Sequence, residues 1–287
     1  MSSSPETRRS DPDAADRARW EMVERRPHPA LAGLVRGYCG YRYELDAPVW
    51  TREGPYGGVT VIFGFGPPIE VGWVERPDLP AATVTSFVVG VHDEAAFTVD
   101  AGRQYGVQID LSPLGALALL AVPSRELAGR VVPLEDALGA RAAALIARLG
   151  EAPGWAERFT ELDAELLRWL ERAPSPHPVV ARAWSLLRRT EGRATVAELC
   201  AATGHSRRHL TSLFHREVGL PPKTMARVLR FHRAQGLLLA PDPPPLAAIA
   251  AECGYYDQAH LNRDFAALVG CTPTRLRAER RDSPVSP

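Results

Sequence analysis

The sequence predicts an α+β protein of two parts: an N-terminal β-sandwich that ends in helices, then an all-α domain of two helix-turn-helix units. Three observations carry this. A pattern of short helix, glycine turn and second helix occurs twice, at residues 196–219 and 246–270. Residues 20–110 are rich in Val, Ile, Tyr and Phe, with Gly, Pro and Asp clusters between, as strands and turns require. From Pro113 onward Leu and Ala recur at three- and four-residue spacing, the mark of amphipathic helices.

The chain has 287 residues, 45% of them hydrophobic and 24% charged, in the range of a water-soluble globular protein with room for two domains. No apolar run reaches the roughly 20 residues that span a bilayer. Residues 1–20 are polar and charged, without the apolar core of a secretory signal. They are expected to form a disordered tail on a cytoplasmic protein with no membrane partner.

Residues 21–172 form the expected first domain. Strands are expected over 37–45, 59–65, 82–91 and 104–111, and helices over 114–122, 134–150 and 155–173. The segment APSPHP, residues 173–178, has three prolines in six positions and marks a linker. Beyond it, residues 179–190 read as an opening helix and 221–240 as a long helix started by prolines. PDPPP at 241–245 stops that helix, and TPTRLRAERR supplies a last short one.

The net charge of zero hides an asymmetry. Residues 1–173 carry −7 and the remainder +7. A basic C-terminal half suits a polyanion, and an acidic half resists indiscriminate DNA binding. Of the basic residues only Lys223 is lysine. Cys39, Cys200, Cys253 and Cys271 form no CxxC pair, and read as small buried apolar residues rather than a redox or metal site.

A helix-turn-helix can lay its second helix in the DNA major groove. In the first unit Gly204 suits a left-handed turn and Ser206 an N-cap. Leu210, Leu213, Phe214 and either Glu217 or Val218 define an inward stripe. At 100° per residue Arg208, Thr211, Ser212 and His215 face outward, flanked by Arg207 and Arg216. In the second unit Gly254 makes a turn one residue longer, and Asp257 is placed to cap the next helix. Leu261, Phe265 and Leu268 face inward; Gln258, Ala259, Asn262 and Arg263 face outward. Arg can clamp guanine, Asn or Gln adenine, and Ala a thymine methyl. A single such pattern is often an ordinary helical hairpin; two copies in a basic domain point to double-stranded DNA. The expected DNA-binding set is Ser206, Arg207, Arg208, Thr211, Ser212, His215, Gln258, Ala259, His260, Asn262 and Arg263.

These residues also carry a family resemblance. IAAECGYYDQAHLNRDFAALVGCTPTRLR, and less tightly SRRHLTSLFHREVGLPPK, resemble the AraC/XylS family of bacterial transcription regulators over about residues 179–281. The resemblance implies two helix-turn-helix subdomains joined by a long helix and bound to one face of bent DNA. It assigns base reading to Arg208, Thr211 and Ser212, then to Gln258, Ala259, Asn262 and Arg263. Two positions depart from the family: Ser212 stands where many members carry arginine, and Leu276 where an aromatic is common. Roughly residues 25–170 resemble the cupin-like sensor domain of one subgroup, which implies a barrel-like strand sandwich followed by helices. A small-molecule effector, a second copy of the chain and RNA polymerase are the further partners this leaves open.

The first domain suggests no catalysis, cofactor or metal. It has only His28 and His92, and neighbours in His92-Asp93-Glu94 would point to opposite faces of a strand, so this cluster reads as a turn or surface. No phosphate-binding glycine loop or nucleophile elbow is present. Tyr38, Tyr41, Tyr43, Trp50, Tyr56, Phe63, Phe65, Trp73 and Phe87 are candidates for an apolar pocket or for plain core. Two other classes stay open: a DNA-repair protein using Cys39, and a catalytic barrel fused to a DNA-binding module.

Overall fold

The computed structural model describes residues 20–281. The tail expected over residues 1–20 lies outside them, except Trp20, which opens the first strand. Among the described residues, ten strands form two antiparallel sheets. The larger has the order β1-β2-β9-β4-β7-β10: Trp20–Arg25, Val35–Glu44, Arg103–Leu111, Val59–Gly64, Phe87–Val89 and Val131–Pro133. The smaller has the order β3-β8-β5-β6: Val49–Glu53, Ala96–Asp100, Ile69–Trp73 and Ala82–Val84.

Strand alternation gives the larger sheet two different faces. Tyr38, Val61, Phe63, Val107 and Ile109 face helices α4 (Ala140–Glu151) and α5 (Trp155–Leu170) in one apolar core. Phe159 stacks on Tyr38 at 5.9 Å. Trp155 lies so close to β2 that a Cβ on Gly40 would sit 2.4 Å from its ring. Buried Asp163 of α5 accepts from the Tyr38 hydroxyl (2.7 Å), the His28 N–H (2.9 Å) and Arg25 (3.2 Å), which pins this helix to β1 and β2. The opposite face, with Tyr41, Tyr43, Gln108 and Asp110, looks toward the small sheet, and Tyr43 donates to Asp100 of β8 at 2.7 Å.

Two expected elements are split. The strand over 82–91 becomes β6 and β7, which lie in different sheets; Ser86 between them accepts from the Gly64 N–H at 3.0 Å as the chain crosses over. The helix over 134–150 breaks at Gly139 into α3 (Leu134–Leu138) and α4. Helices α1 (Pro113–Leu120) and α2 (Ser124–Leu127) precede them. The candidate pocket aromatics do not converge. Tyr38 and Phe63 belong to the helix-side core, Trp50 is 48% exposed, and Trp73 packs edge-on against His92.

The C-terminal part begins with α6 (Pro178–Arg189). The first helix-turn-helix is α7 (Val196–Thr203) and α8 (Arg207–Val218). The long α9 (Pro222–Leu238) follows, then α10 (Leu246–Glu252), α11 (Gln258–Val269) and α12 (Pro273–Arg281). Opposite faces of α9 serve two cores: Met225, Ala226 and Leu229 join the first unit, and Val228, Phe231 and Ala234 the second. Among the described residues no helix is long and apolar enough to cross a membrane.

The halves are packed together. The apolar core of the large sheet runs without a break through α1 and α2 into α6, α7 and α8. The segment between β7 and β8 reaches both units, because Val91 joins the core of the first and Ala95 that of the second. Arg280 of α12 donates to the Arg52 carbonyl (2.8 Å) and pairs with Glu53 (2.9 Å).

Candidate nucleic-acid interface

The first unit is built for a sharp start to α8. Thr195 and Glu198 form a reciprocal capping box on α7: the Glu198 N–H donates to the Thr195 hydroxyl (3.2 Å), and the Thr195 N–H to the Glu198 carboxylate (2.7 Å). The Thr195 hydroxyl also donates to that carboxylate (2.8 Å), and the two bonds from Thr195 hold the Glu198 carboxyl below the usual carboxylate range. Gly204 takes φ of +72° and ends α7. Ser206 then caps α8 by accepting from the His209 N–H at 3.4 Å.

From this start α8 buries Leu210, Leu213, Phe214 and Val218, as its apolar stripe requires. Arg207, Arg208, Ser212 and His215 are exposed, and Thr211 is half-buried. With Pro221 these five side chains line an open concavity of about 650 Å³. Arg216 lies 3.7 Å from Glu217, which also accepts from the His177 N–H at 2.9 Å and so ties α8 to the start of α6. His205 and His209, both exposed, lie ring to ring at 4.9 Å.

The second unit repeats this plan. Gly254 takes φ of +75°. Asp257 caps α11 by accepting from the His260 N–H at 2.6 Å. Leu261, Phe265 and Leu268 are buried; Gln258, Ala259 and Arg263 are exposed. Asp264 is buried as well and pairs with Arg227 of α9 at 2.8 Å, a brace that sequence reasoning missed. The signal was the single carboxylate on the inward side of an otherwise apolar stripe.

Two expected readers are placed differently from the rest. His260 is half-buried, edge-on to Tyr255 at 5.2 Å, with Nδ1 accepting from the Tyr256 N–H at 3.4 Å, so it braces the turn. Asn262 is half-buried, and its side-chain oxygen is enclosed without a hydrogen-bond partner. A bidentate adenine clamp needs both ends of the amide. The enclosed oxygen is not placed to complete such a clamp.

His92, Asp93 and Glu94 of the first domain do not converge on one point. His92-Asp93-Glu94 lies in a bend between β7 and β8, as the turn reading expects, but His92 itself is buried rather than at the surface (7% exposed), and its Nδ1 lies 2.8 Å from the Glu94 carbonyl. Burial lowers its pKa to about 4. Asp93 is exposed, and Glu94 pairs with Arg76 at 2.6 Å. Among the described residues no three His, Cys, Asp or Glu side chains are grouped to hold a metal. All four cysteines are free thiols. Cys253 and Cys271 are buried, and Cys39 and Cys200 half-buried. Burial pushes the Cys39 thiol up to about 12, which leaves little nucleophilic thiolate at neutral pH. A cavity of about 620 Å³ opens between the β2–β3 loop and α12, lined by Leu45, Pro48, Trp50, Arg52, Leu276 and Arg280 among others.

Residues 199–279 match the family described as a helix-turn-helix domain. No protein of curated function matches the sequence. Among solved structures, ToxT from Vibrio cholerae is similar over both halves, with 10% identity, a TM-score of 0.50, and coverage of 86% of this chain and 98% of that one. At that identity the likeness concerns fold alone: an antiparallel β-rich domain followed by a helical one. Two further structures align with the C-terminal part. One is an AraC-type transcriptional regulator from Chromobacterium violaceum (28% identity, 37% of this chain, 95% of that chain, TM-score 0.34). The other is the DNA-binding domain of the transcriptional factor AdpA, solved with a target DNA (26% identity, 38% of this chain, 95% of that chain, TM-score 0.33).

Proposed function

We propose that this chain, whose residues 199–279 match a helix-turn-helix domain, is a sequence-specific DNA-binding transcription regulator of the AraC type. One observation carries the reading. Two capped helices, α8 and α11, each bury an apolar stripe and leave a polar face open, in the half of the chain with net charge +7. That is the form of a helix that enters a major groove.

Arg208, Thr211, Ser212 and His215 select bases in one box, with Arg207 and the Ser206 cap holding phosphate. Gln258, Ala259 and Arg263 select bases in the second box, and Asn262 adds a single donor. His260 acts by holding the turn. The two helices enter successive turns of one DNA face, about 34 Å apart.

Residues 21–172 serve as the effector or dimerisation domain and 179–281 as the DNA-binding domain. An apolar or aromatic effector in the cleft beside Trp50, Arg52 and Arg280 would touch both domains at once. Such a ligand changes DNA affinity only by its different affinity for the docked and undocked arrangements. The reading assigns no catalytic step. It places the protein in the cytoplasm with its DNA, and RNA polymerase and a second copy of the chain remain candidate partners.

The test is selection of genomic DNA fragments by the purified full-length protein at about 150 mM salt. Recovery of a motif with two boxes about one helical turn apart supports the regulator. Fragments with no shared motif would mean binding without reading, and the proposal fails.

A further inference from the structure

Tyr256 is 94% exposed, whereas the other large exposed hydrophobic side chains, Trp50, Leu79 and Leu239, are 48% exposed or less. A ring so placed adds almost nothing to the core. Its neighbour Tyr255 is the buried one (5% exposed), edge-on to His260 and 5.8 Å from the Arg230 guanidinium. The pair divides the work: Tyr255 anchors the turn, and Tyr256 is held out from it.

The turn is fixed on both sides of Tyr256. Its own N–H donates to His260 Nδ1 at 3.4 Å, and the next residue, Asp257, caps α11 at 2.6 Å. Tyr256 therefore stands beside the first turn of a recognition helix, next to the exposed Gln258 and Ala259. The equivalent residue before the cap in the first unit is His205, also an exposed ring. His205 rests against His209, whereas among the described residues no aromatic pair includes Tyr256.

The two helix starts differ in charge. Helix α8 opens with Arg207 and Arg208 behind the neutral cap Ser206, while α11 opens with Gln258 and Ala259 behind the carboxylate of Asp257. Phosphates flanking α8 meet cations. Those flanking α11 meet no Arg or Lys in its first turn, and an acidic cap weakens the helix N-terminus as an anion site.

We propose that the Tyr256 phenol donates a hydrogen bond to a DNA phosphate beside the box read by α11, a neutral substitute for the arginine pair of α8. Tyrosine hydroxyls are ordinary phosphate donors at such interfaces. The inference rests on the regulator reading. It differs from a cationic contact in one measurable respect: a neutral donor releases no counterion, so it adds affinity without adding to the salt dependence.

The test is a titration of a random-sequence duplex of about 30 base pairs with wild type, Tyr256→Phe, Tyr256→Ala and Arg207→Ala, from about 50 to 200 mM salt. Tyr256→Phe should weaken binding about 3- to 10-fold with an unchanged slope of log affinity against log salt. Arg207→Ala should make that slope shallower by about one. The thermal midpoint of Tyr256→Phe should equal that of wild type, since no buried contact is lost. Wild-type affinity in Tyr256→Phe overturns the inference, as does weakening in Tyr256→Ala alone, which would assign the effect to the ring. If wild type held no DNA, the regulator reading itself would fall and this one with it. A wild type that binds beside an unaffected Tyr256→Phe removes only the phenol contact.

Discussion

Arg52 of β3 and Glu279 of α12 form an ion pair at 3.0 Å between the small sheet and the second helix-turn-helix unit. The same guanidinium donates to the Val269 carbonyl at 2.8 Å, at the end of α11. The Arg52 side chain is only 9% exposed, so little water could replace these bonds if it were removed. Arg52→Ala leaves a carbonyl and a carboxylate short of a donor and should lower stability by about 2 kcal/mol. Urea unfolding followed by tryptophan fluorescence measures this. A midpoint equal to that of wild type would mean the sheet does not hold α12 in solution.

The same contact predicts acid sensitivity. Burial works to raise the Glu279 pKa, but bonds from Arg275 and Arg52 outweigh it and hold the carboxyl below the usual range. A carboxylate depressed in the folded state contributes stability above its unfolded pKa, and that contribution disappears as pH falls through the folded value. Glu279→Gln should therefore be less stable than wild type at neutral pH, with the difference closing in acid below the ordinary carboxylate range. A stability difference that stayed constant with pH would contradict the pairing.

Gly204 and Gly219 both have positive φ, +72° and +92°, but their surroundings differ. A Cβ on Gly204 would meet nothing within 4 Å. On Gly219 it would lie 2.8 Å from Val91 Cγ2 and 2.9 Å from the Ser124 carbonyl oxygen. Gly204→Ala should cost about 1 kcal/mol, the backbone strain alone. Gly219→Ala should cost clearly more, because α8 must shift off the first domain. Thermal unfolding of the two variants compares them directly, and equal losses would show that the α8–α2 contact is soft.

The recognition units were the most legible part of the chain because their signals are local. Gly204, Ser206, Gly254 and Asp257 act within a few residues, and all four take the expected positions. Strands β2, β4 and β9 were legible for a similar reason: β4 is a run of apolar residues, and β2 and β9 are long enough for several Val, Ile, Tyr or Leu to fall within one stretch. Strands β1, β3, β5 and β8 were not, since WEMVER, VWTRE, IEVGW and AFTVD are short and mix charge with apolar residues. Only pairing with neighbours distant in sequence makes them strands. The burial of His92 likewise depends on Trp73. Asn262 and His260 sit at the edge of the α11 outward face, where 100° per residue does not decide between groove and core.

His92 predicts a second pH effect of separate origin. Its Nδ1 faces the Glu94 carbonyl, which can only accept, so the neutral ring carries its proton there. Burial, with the Arg76 charge adding to it, lowers the folded pKa from 6.5 to about 4. Between those values the unfolded chain binds a proton that the folded chain does not, so stability falls as pH drops from 6.5 to about 4 and levels off below. His92→Phe keeps a ring against Trp73 and removes the titration. Its urea midpoint should vary less over this window than that of wild type. An equal pH dependence would mean the imidazole is solvated and free to charge.

Arg263 and Asn262 are neighbours on α11, and their surroundings predict opposite outcomes. Arg263 is exposed, and a guanidinium on this face can take both acceptors of a guanine. Arg263→Ala should weaken binding at a selected site by about 1–3 kcal/mol and relax preference at one base pair. Asn262 offers only one end of its amide, because its oxygen is enclosed without a partner. Removing an unsatisfied buried acceptor relieves a desolvation penalty. Asn262→Ala should therefore leave the thermal midpoint level or raised, and change sequence preference less than Arg263→Ala does. Repeating the fragment selection with each variant measures both effects. If Asn262→Ala erased a base preference as completely as Arg263→Ala, the amide would have to turn outward on DNA, and the enclosed oxygen would belong to the free protein alone.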